Sequence, residues 1–181
     1  PAASVTVSGP QSLVNCITLD NGRLSITDGP DHKESINLTW GKDGFDARSS
    51  HEGARITVTA PNVKRFEMTG SGDLDLRGYD QPSIDISIAG SGSVHAVGRT
   101  QALKLNVSGS GSADLAALET KDADVSVNGS GDATIHASGR AKIDISGSGN
   151  VDLATKPAKV DTTISGSGTV DQDDGSDSDN S

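Results

Sequence analysis

Apolar and polar residues alternate with period two along most of the chain, and a triplet punctuates the alternation at a near-constant interval. Such alternation sends successive side chains to opposite sides of an extended backbone, so it predicts half-buried strands. The triplets Gly70-Ser71-Gly72, Gly90-Ser91-Gly92, Gly109-Ser110-Gly111, Gly129-Ser130-Gly131, Gly147-Ser148-Gly149 and Gly166-Ser167-Gly168 begin 20, 19, 20, 18 and 19 residues apart. Two residues before them stand Met68, Ile88, Val107, Val127, Ile145 and Ile164; four before stand Phe66, Ile86, Leu105, Val125, Ile143 and Thr162. Two after stand Leu74, Val94, Ala113, Ala133, Val151 and Val170, and four after, in the first five copies, Leu76, Ala96, Leu115, Ile135 and Leu153. Each repeat thus reads as two short strands around a glycine corner. Repetition at this period is the mark of stacked coils. The prediction is all-β: a right-handed parallel β-solenoid (β-helix) of about six coils, its hand following the usual strand twist.

Strands at this spacing could also pair as hairpins, and charge separates the alternatives. Five positions before the triplets stand Arg65, Asp85, Lys104, Asp124, Lys142 and Asp161, alternating in sign at every step. Stacked coils would make these residues neighbours about 4.8 Å apart, where opposite charges help and like charges repel. In hairpins they would not meet. Glycine fits a corner repeated in every coil because it permits close backbone approach and positive φ. The serines between would form a column able to bond to neighbouring backbone. The second corner of each coil is looser, as at Arg99-Thr100-Gln101, Ser138-Gly139-Arg140 and Lys156-Pro157-Ala158, and absorbs the changes in repeat length.

The first third lacks this regularity. Ser4 to Ser8, Cys16 to Leu19, Arg23 to Thr27, Ile36 to Trp40 and Ile56 to Val58 read as strands. Asn21-Gly22 marks a hairpin, because both residues accept a type I′ turn. Gly41 to Gly53 reads as a loop. A solenoid end must be covered, so this segment is expected to start and cap the stack, with Trp40 over the end of the core. The resulting division is 1–62 for the irregular N-terminal β cap, 63–170 for the solenoid and 171–181 for an acidic tail.

Composition narrows the functional classes. The chain has 181 residues, 2% aromatic residues and 22 glycines, so small and β-branched side chains must fill a narrow core. A net charge of −10 argues against nucleic acid or anionic membrane as a partner. No apolar run approaches the roughly 20 residues of a membrane-spanning helix. Cys16 stands alone and reads as a buried small hydrophobe. The first residues are Pro1-Ala2-Ala3-Ser4, which suggests processing or trimming.

The glycine triplets complete no nucleotide-binding pattern and no helix follows them, so no cofactor is expected. The column three after the triplets holds Asp75, His95, Asp114, Thr134, Asp152 and Asp171. Paired acids on such a face can perform general acid–base work on glycosidic bonds, although a solvated face is the simpler reading. No catalytic residue is assigned. The tail holds five Asp; Asp171, Asp173 and Asp174 are candidate calcium ligands, but the glycine arrives one position too early for an EF-hand order.

With the repeat laid out, the chain resembles the bacterial family of putative auto-transporter adhesins, head GIN domain. The resemblance is carried by Ile56 to Pro61 leading into Phe66 to Leu74, and by the recurring Ser-Gly-Ser-Gly corners across residues 4–170. It implies a secreted or envelope-exposed solenoid with an adhesive role and no catalytic residues. That family's domain usually opens with a further strand or two before the segment matching Ser4 to Ser8, so either those strands are lost here or another molecule supplies them to an open first rung. The expected function is a non-enzymatic adhesin or structural protein, secreted or at the cell surface or periplasm of a bacterium, binding a surface polysaccharide or protein. A homo-oligomer joined through solenoid ends is expected as well. A filament subunit and a carbohydrate-active enzyme using Asp75, Asp114 and Asp152 are the alternatives.

Overall fold

A computed structural model describes residues 4–8, 17–20, 23–27, 35–41, 44–49, 55–59 and 63–172, and the side chains of 63–172. Every regular element among them is a strand. In order these are β1 (Ser4–Ser8), β2 (Ile17–Asp20), β3 (Arg23–Thr27), β4 (Ser35–Gly41), β5 (Gly44–Ser49), β6 (Arg55–Thr59), β7 (Arg65–Gly70) and β8 (Asp73–Asp80). There follow β9 (Ser83–Gly90), β10 (Ser93–Gly109), β11 (Ser112–Gly129), β12 (Asp132–Gly147), β13 (Asn150–Leu153), β14 (Lys159–Gly166) and β15 (Thr169–Gln172). All fifteen join one sheet, which coils into a β-solenoid of about six turns.

Along one face β3, β7, β9, the second halves of β10, β11 and β12, and then β14 pair in parallel. Along the other run β4, β8, the first halves of β10, β11 and β12, then β13 and β15, again parallel. Equivalent residues of successive repeats fall side by side: Gly70 on Gly90, Gly90 on Gly109, Gly109 on Gly129. The pairing is that of a stack, not of hairpins.

The two-strands-per-repeat expectation needs revision in the middle of the stack. There β10, β11 and β12 each run unbroken from one glycine corner to the next. The second corner is a bend with shifts of register, near His95 to Gly98 and Leu115 to Asp122. Where strands do break, between β8 and β9 and between β13 and β14, Pro82 and Pro157 interrupt the ladder, since proline offers no N–H.

In all but the last described rung, residues two and four from the triplets fill the core. Phe66, Met68, Leu76, Ile88, Leu105, Val107, Leu115, Val125 and Ile145 are all buried. Tyr79 joins them at the second corner, its ring edge-on to Phe66 with centroids 6.1 Å apart.

At the N-terminal end, β3 and β4 cover the first glycine-cornered rung, pairing with β7 and β8. That rung is therefore closed by the chain's own strands, while farther out β1 and β2 each pair on one side only among the described residues. Beyond β3 lies β2, antiparallel, with Asp20 opposite Arg23 as the Asn21-Gly22 hairpin requires. Beyond β4 lie β5, β6 and β1, antiparallel in turn. Thus Gly41 to Gly53 is not simply a loop, because β5 lies inside it. Its backbone finds partners on both sides, in β4 and β6. Cys16 falls outside the described residues, as does the Trp40 side chain.

Candidate functional site

The glycine corners set the shape on which any site must be built. Gly109 has φ +114°, and a Cβ there would lie 2.5 Å from the carbonyl oxygen of Gly90. At Gly111 a Cβ would meet the Gly92 oxygen and the Ile88 Cγ2, each at 2.7 Å. Glycine is thus required by conformation at the first position and by close approach at the second. The same register carries Gly70, Gly72, Gly90, Gly92, Gly129, Gly131, Gly147, Gly149, Gly166 and Gly168 along one edge of the solenoid. Hydrogen bonds across the corner use serine main chain: Ser110 N donates to Gly90 O at 2.9 Å and Ser148 N to Gly129 O at 2.8 Å. The hydroxyl-bearing side chains of Ser91, Ser110, Ser130, Ser148 and Ser167 are exposed.

On the face built from β7, β9 and β14, the register sets Arg65 beside Asp85, Asp85 beside Lys104, Lys104 beside Asp124, Asp124 beside Lys142 and Lys142 beside Asp161. Closed contacts across rungs are fewer. Arg65 Nε meets Asp85 Oδ2 at 3.0 Å, Lys142 Nζ lies 3.9 Å from Asp124 Oδ1, and Arg140 Nη2 lies 3.1 Å from Asp161 Oδ2. The alternation stops at Arg65, whose other register neighbour is Arg23.

Other ion pairs run along single strands, and the two shortest, Lys142 to Asp144 and Arg77 to Asp75, are of this kind. Lys142 Nζ meets Asp144 Oδ2 at 2.6 Å, Lys159 Nζ meets Asp161 Oδ2 at 3.2 Å, and Arg77 Nη2 meets Asp75 Oδ2 at 2.6 Å. Hydrogen bonds from Lys142 and Lys159 hold the Asp144 and Asp161 carboxyls below their ordinary values. The bonds to Asp144 and Asp75 raise Lys142 and Arg77 in turn. Residues two apart in a strand share a face. That spacing of two is the signal in the sequence for these pairs.

The opposite face carries the acidic column. Asp75 neighbours His95, His95 neighbours Asp114, Asp114 neighbours Thr134, Thr134 neighbours Asp152 and Asp152 neighbours Asp171. His95 Nδ1 lies 3.2 Å from Asp114 Oδ2. Asp75 gives Oδ2 to Arg77, while its enclosed Oδ1 has no hydrogen-bond partner among the described residues. Beside this column Asp132 Oδ1 accepts from Asn150 N and Nδ2, and Thr169 Oγ1 donates to Asn150 Oδ1 at 2.9 Å. Asp75, Asp114 and Asp152 are each separated by one intervening rung, about 10 Å, on the outside of a sheet. A shallow depression lies away from them, at the second corner, lined by Asp80, Gln81, Pro82, Arg99, Thr100 and Gln101.

Among the described residues no group of three or more His, Cys, Asp or Glu is gathered so as to hold a metal. Asp171 lies exposed in β15, whereas Asp173 and Asp174 fall outside the described residues. No helix among the described residues is long and apolar enough to cross a membrane.

Comparison with curated proteins finds no match. Among solved structures the chain is similar to a putative adhesin from Bacteroides fragilis, with 16% identity and a TM-score of 0.55 over 95% of this chain and 83% of that one. At that identity the likeness speaks for the fold. A family model described as "Putative auto-transporter adhesin, head GIN domain" matches residues 1–157, ending just before β14. The solenoid with its stacked glycine corners belongs, by that match, to the putative auto-transporter adhesin family, head GIN domain.

Proposed function

We propose that the chain is a non-enzymatic, adhesin-like β-solenoid, secreted or displayed at a bacterial surface, that binds a surface polysaccharide or a protein through its outer faces. The observation that carries this reading is the repetition of polar columns on the acidic face. Asp75, His95, Asp114, Thr134, Asp152 and Asp171 follow one another in register, one per rung. Repetition at about 4.8 Å suits a ligand that is itself repetitive or extended, because weak contacts sum along the stack. Family membership supports the adhesive role and the surface location.

The test is binding to an array of purified polysaccharides and extracellular proteins, read for the chain and for a double variant, Asp114→Lys with Asp152→Lys. The expected result is saturable binding below about 0.1 mM that the double variant loses while its circular dichroism is unchanged. Binding that survives the double variant would move the site off this face. Release of reducing ends from a bound polysaccharide, abolished by Asp114→Asn, would instead establish the carbohydrate-active reading.

A further inference from the structure

The last described rung differs from the described rungs before it. Inward positions of earlier rungs are covered by the rung that follows: Leu105, Val107, Val125 and Val127 are all fully buried. In β14 the equivalent column is open, with Val160 37% and Ile164 42% exposed, and Thr162 exposed between them. Among the described residues β14 pairs only with β12 and β15 only with β13, so one edge of each strand is unpaired. Residues 173–181 bring no apolar side chain to cover the gap.

We propose that this edge docks a second copy of the chain through its own identical edge, giving a closed two-fold dimer. Complementarity within β14 favours that occupant. An antiparallel pairing centred on Thr162 sets Val160 of one copy opposite Ile164 of the other, twice over, and so completes the apolar column. On the outward face the same register sets Lys159 opposite Ser165 and Asp161 opposite Thr163, with no like charges directly opposed. The end of the stack is also even, with one strand added to each face, β14 and β15. The N-terminal end is stepped, with β2 alone beyond β3 but β5, β6 and β1 beyond β4. A head-to-tail contact would need both faces to meet an uneven end, whereas two identical even ends match, and an isologous contact closes at two.

The Asp-rich run from Asp171 to Asp179 gives this dimer a signature. Charge beside a free edge discourages strand addition, and in each copy this acidic run starts in β15 and follows it directly in sequence. Screening the repulsion between the two runs tightens the dimer, so association strengthens as salt is added. The inference is independent of which ligand the faces bind.

Sedimentation equilibrium of the intact chain tests it. A monomer–dimer equilibrium is expected, with a dissociation constant of about 10–100 µM, because the end of a narrow solenoid buries little surface. It should tighten several-fold between about 0.02 and 0.5 M sodium chloride. Ile164→Lys and Val160→Lys should each weaken it at least tenfold, while Thr163→Lys, on the outward side of the same strand, should leave pairing intact. Circular dichroism of each variant checks that the rungs persist. A monomer at every concentration and salt, growth beyond the dimer into filaments, or a dimer indifferent to both lysines at the inward positions would each overturn the proposal.

Discussion

The two corners of each coil solve the same problem with different chemistry. At the Gly-Ser-Gly corner, backbone stacks on backbone, and a Cβ at Gly111 would enter the space of Gly92 and Ile88. At the second corner, side chains add to the main-chain bonds that join successive rungs. Ser138 Oγ donates to Thr120 O at 3.2 Å, Thr155 Oγ1 to Ala137 O at 2.9 Å, and Arg140 N to the Asp122 carboxylate at 3.1 Å. Side-chain bridges accommodate shifts of register, so the coil varies in length there and nowhere else. A corner of close-packed main chain must be invariant; one bridged in part by side chains can drift. The difference explains why the period wanders by a residue or two without disturbing the glycine column.

The largest effect should come from Gly111→Val. Its branched side chain would collide with backbone that cannot give way, costing about 3 kcal/mol or more. Inserting one glycine between Ser138 and Gly139, at the second corner, should cost far less. Urea denaturation of the two variants compares them directly, and equal losses would erase the distinction between the corners.

Next in size is Tyr79→Phe, which probes the side-chain corner. The Tyr79 hydroxyl donates to the Ser83 oxygen at 2.7 Å and lies 3.2 Å from the Val63 oxygen. Removing it leaves enclosed carbonyls without their partner, at a cost of about 1–2 kcal/mol. Burial also pushes the phenol well above its ordinary pKa. A raised folded value means that the unfolded chain loses its proton first, so the neutral phenol's contribution is whole below about pH 10 and falls as pH rises above that. Tyr79 is the chain's single tyrosine. Phenolate absorbance should therefore appear together with alkaline unfolding, and a titration that precedes unfolding would show the hydroxyl to be open to solvent.

Most of the fold was legible because repetition multiplied a weak signal. One alternation such as Ile143-Asp144-Ile145 is ambiguous; six in register are not. The course of the second corner was less legible, because whether a strand continues through a bend depends on local register and on prolines such as Pro82 and Pro157. The strand β5 was missed because only Phe45 and Ala47 mark its apolar side, and its pairing with β4 and β6 is what makes it a strand. The alternation puts Ile164 in register with buried Ile145, but its exposure follows from the absence of a further rung beyond β14 among the described residues, which no residue near Ile164 announces. The faces could be listed from sequence, and the spacing of two within a strand marks the candidate ion pairs, but which of them close depends on side-chain geometry.

The smallest effects concern the charges outside both corners. Lys104 stands in register between Asp85 and Asp124, so Lys104→Asp would align three acids on consecutive rungs. Exposed pairs are worth little, and the expected loss is about 0.5 kcal/mol, diminishing with added salt. Acid should act on the same face through Asp144 and Asp161, whose carboxyls are held low by lysine neighbours. Because their folded values lie below the unfolded ones, their contribution is present above about pH 4 and is lost as pH falls through the folded values. Lys142→Met removes the main cause at Asp144. The variant's stability should consequently fall less steeply than the parent's below about pH 4, when urea midpoints are compared across that range. Parallel curves would mean that Lys142 and Asp144 are merely adjacent, and that glycine corners and apolar columns hold the stack without help from its charged face.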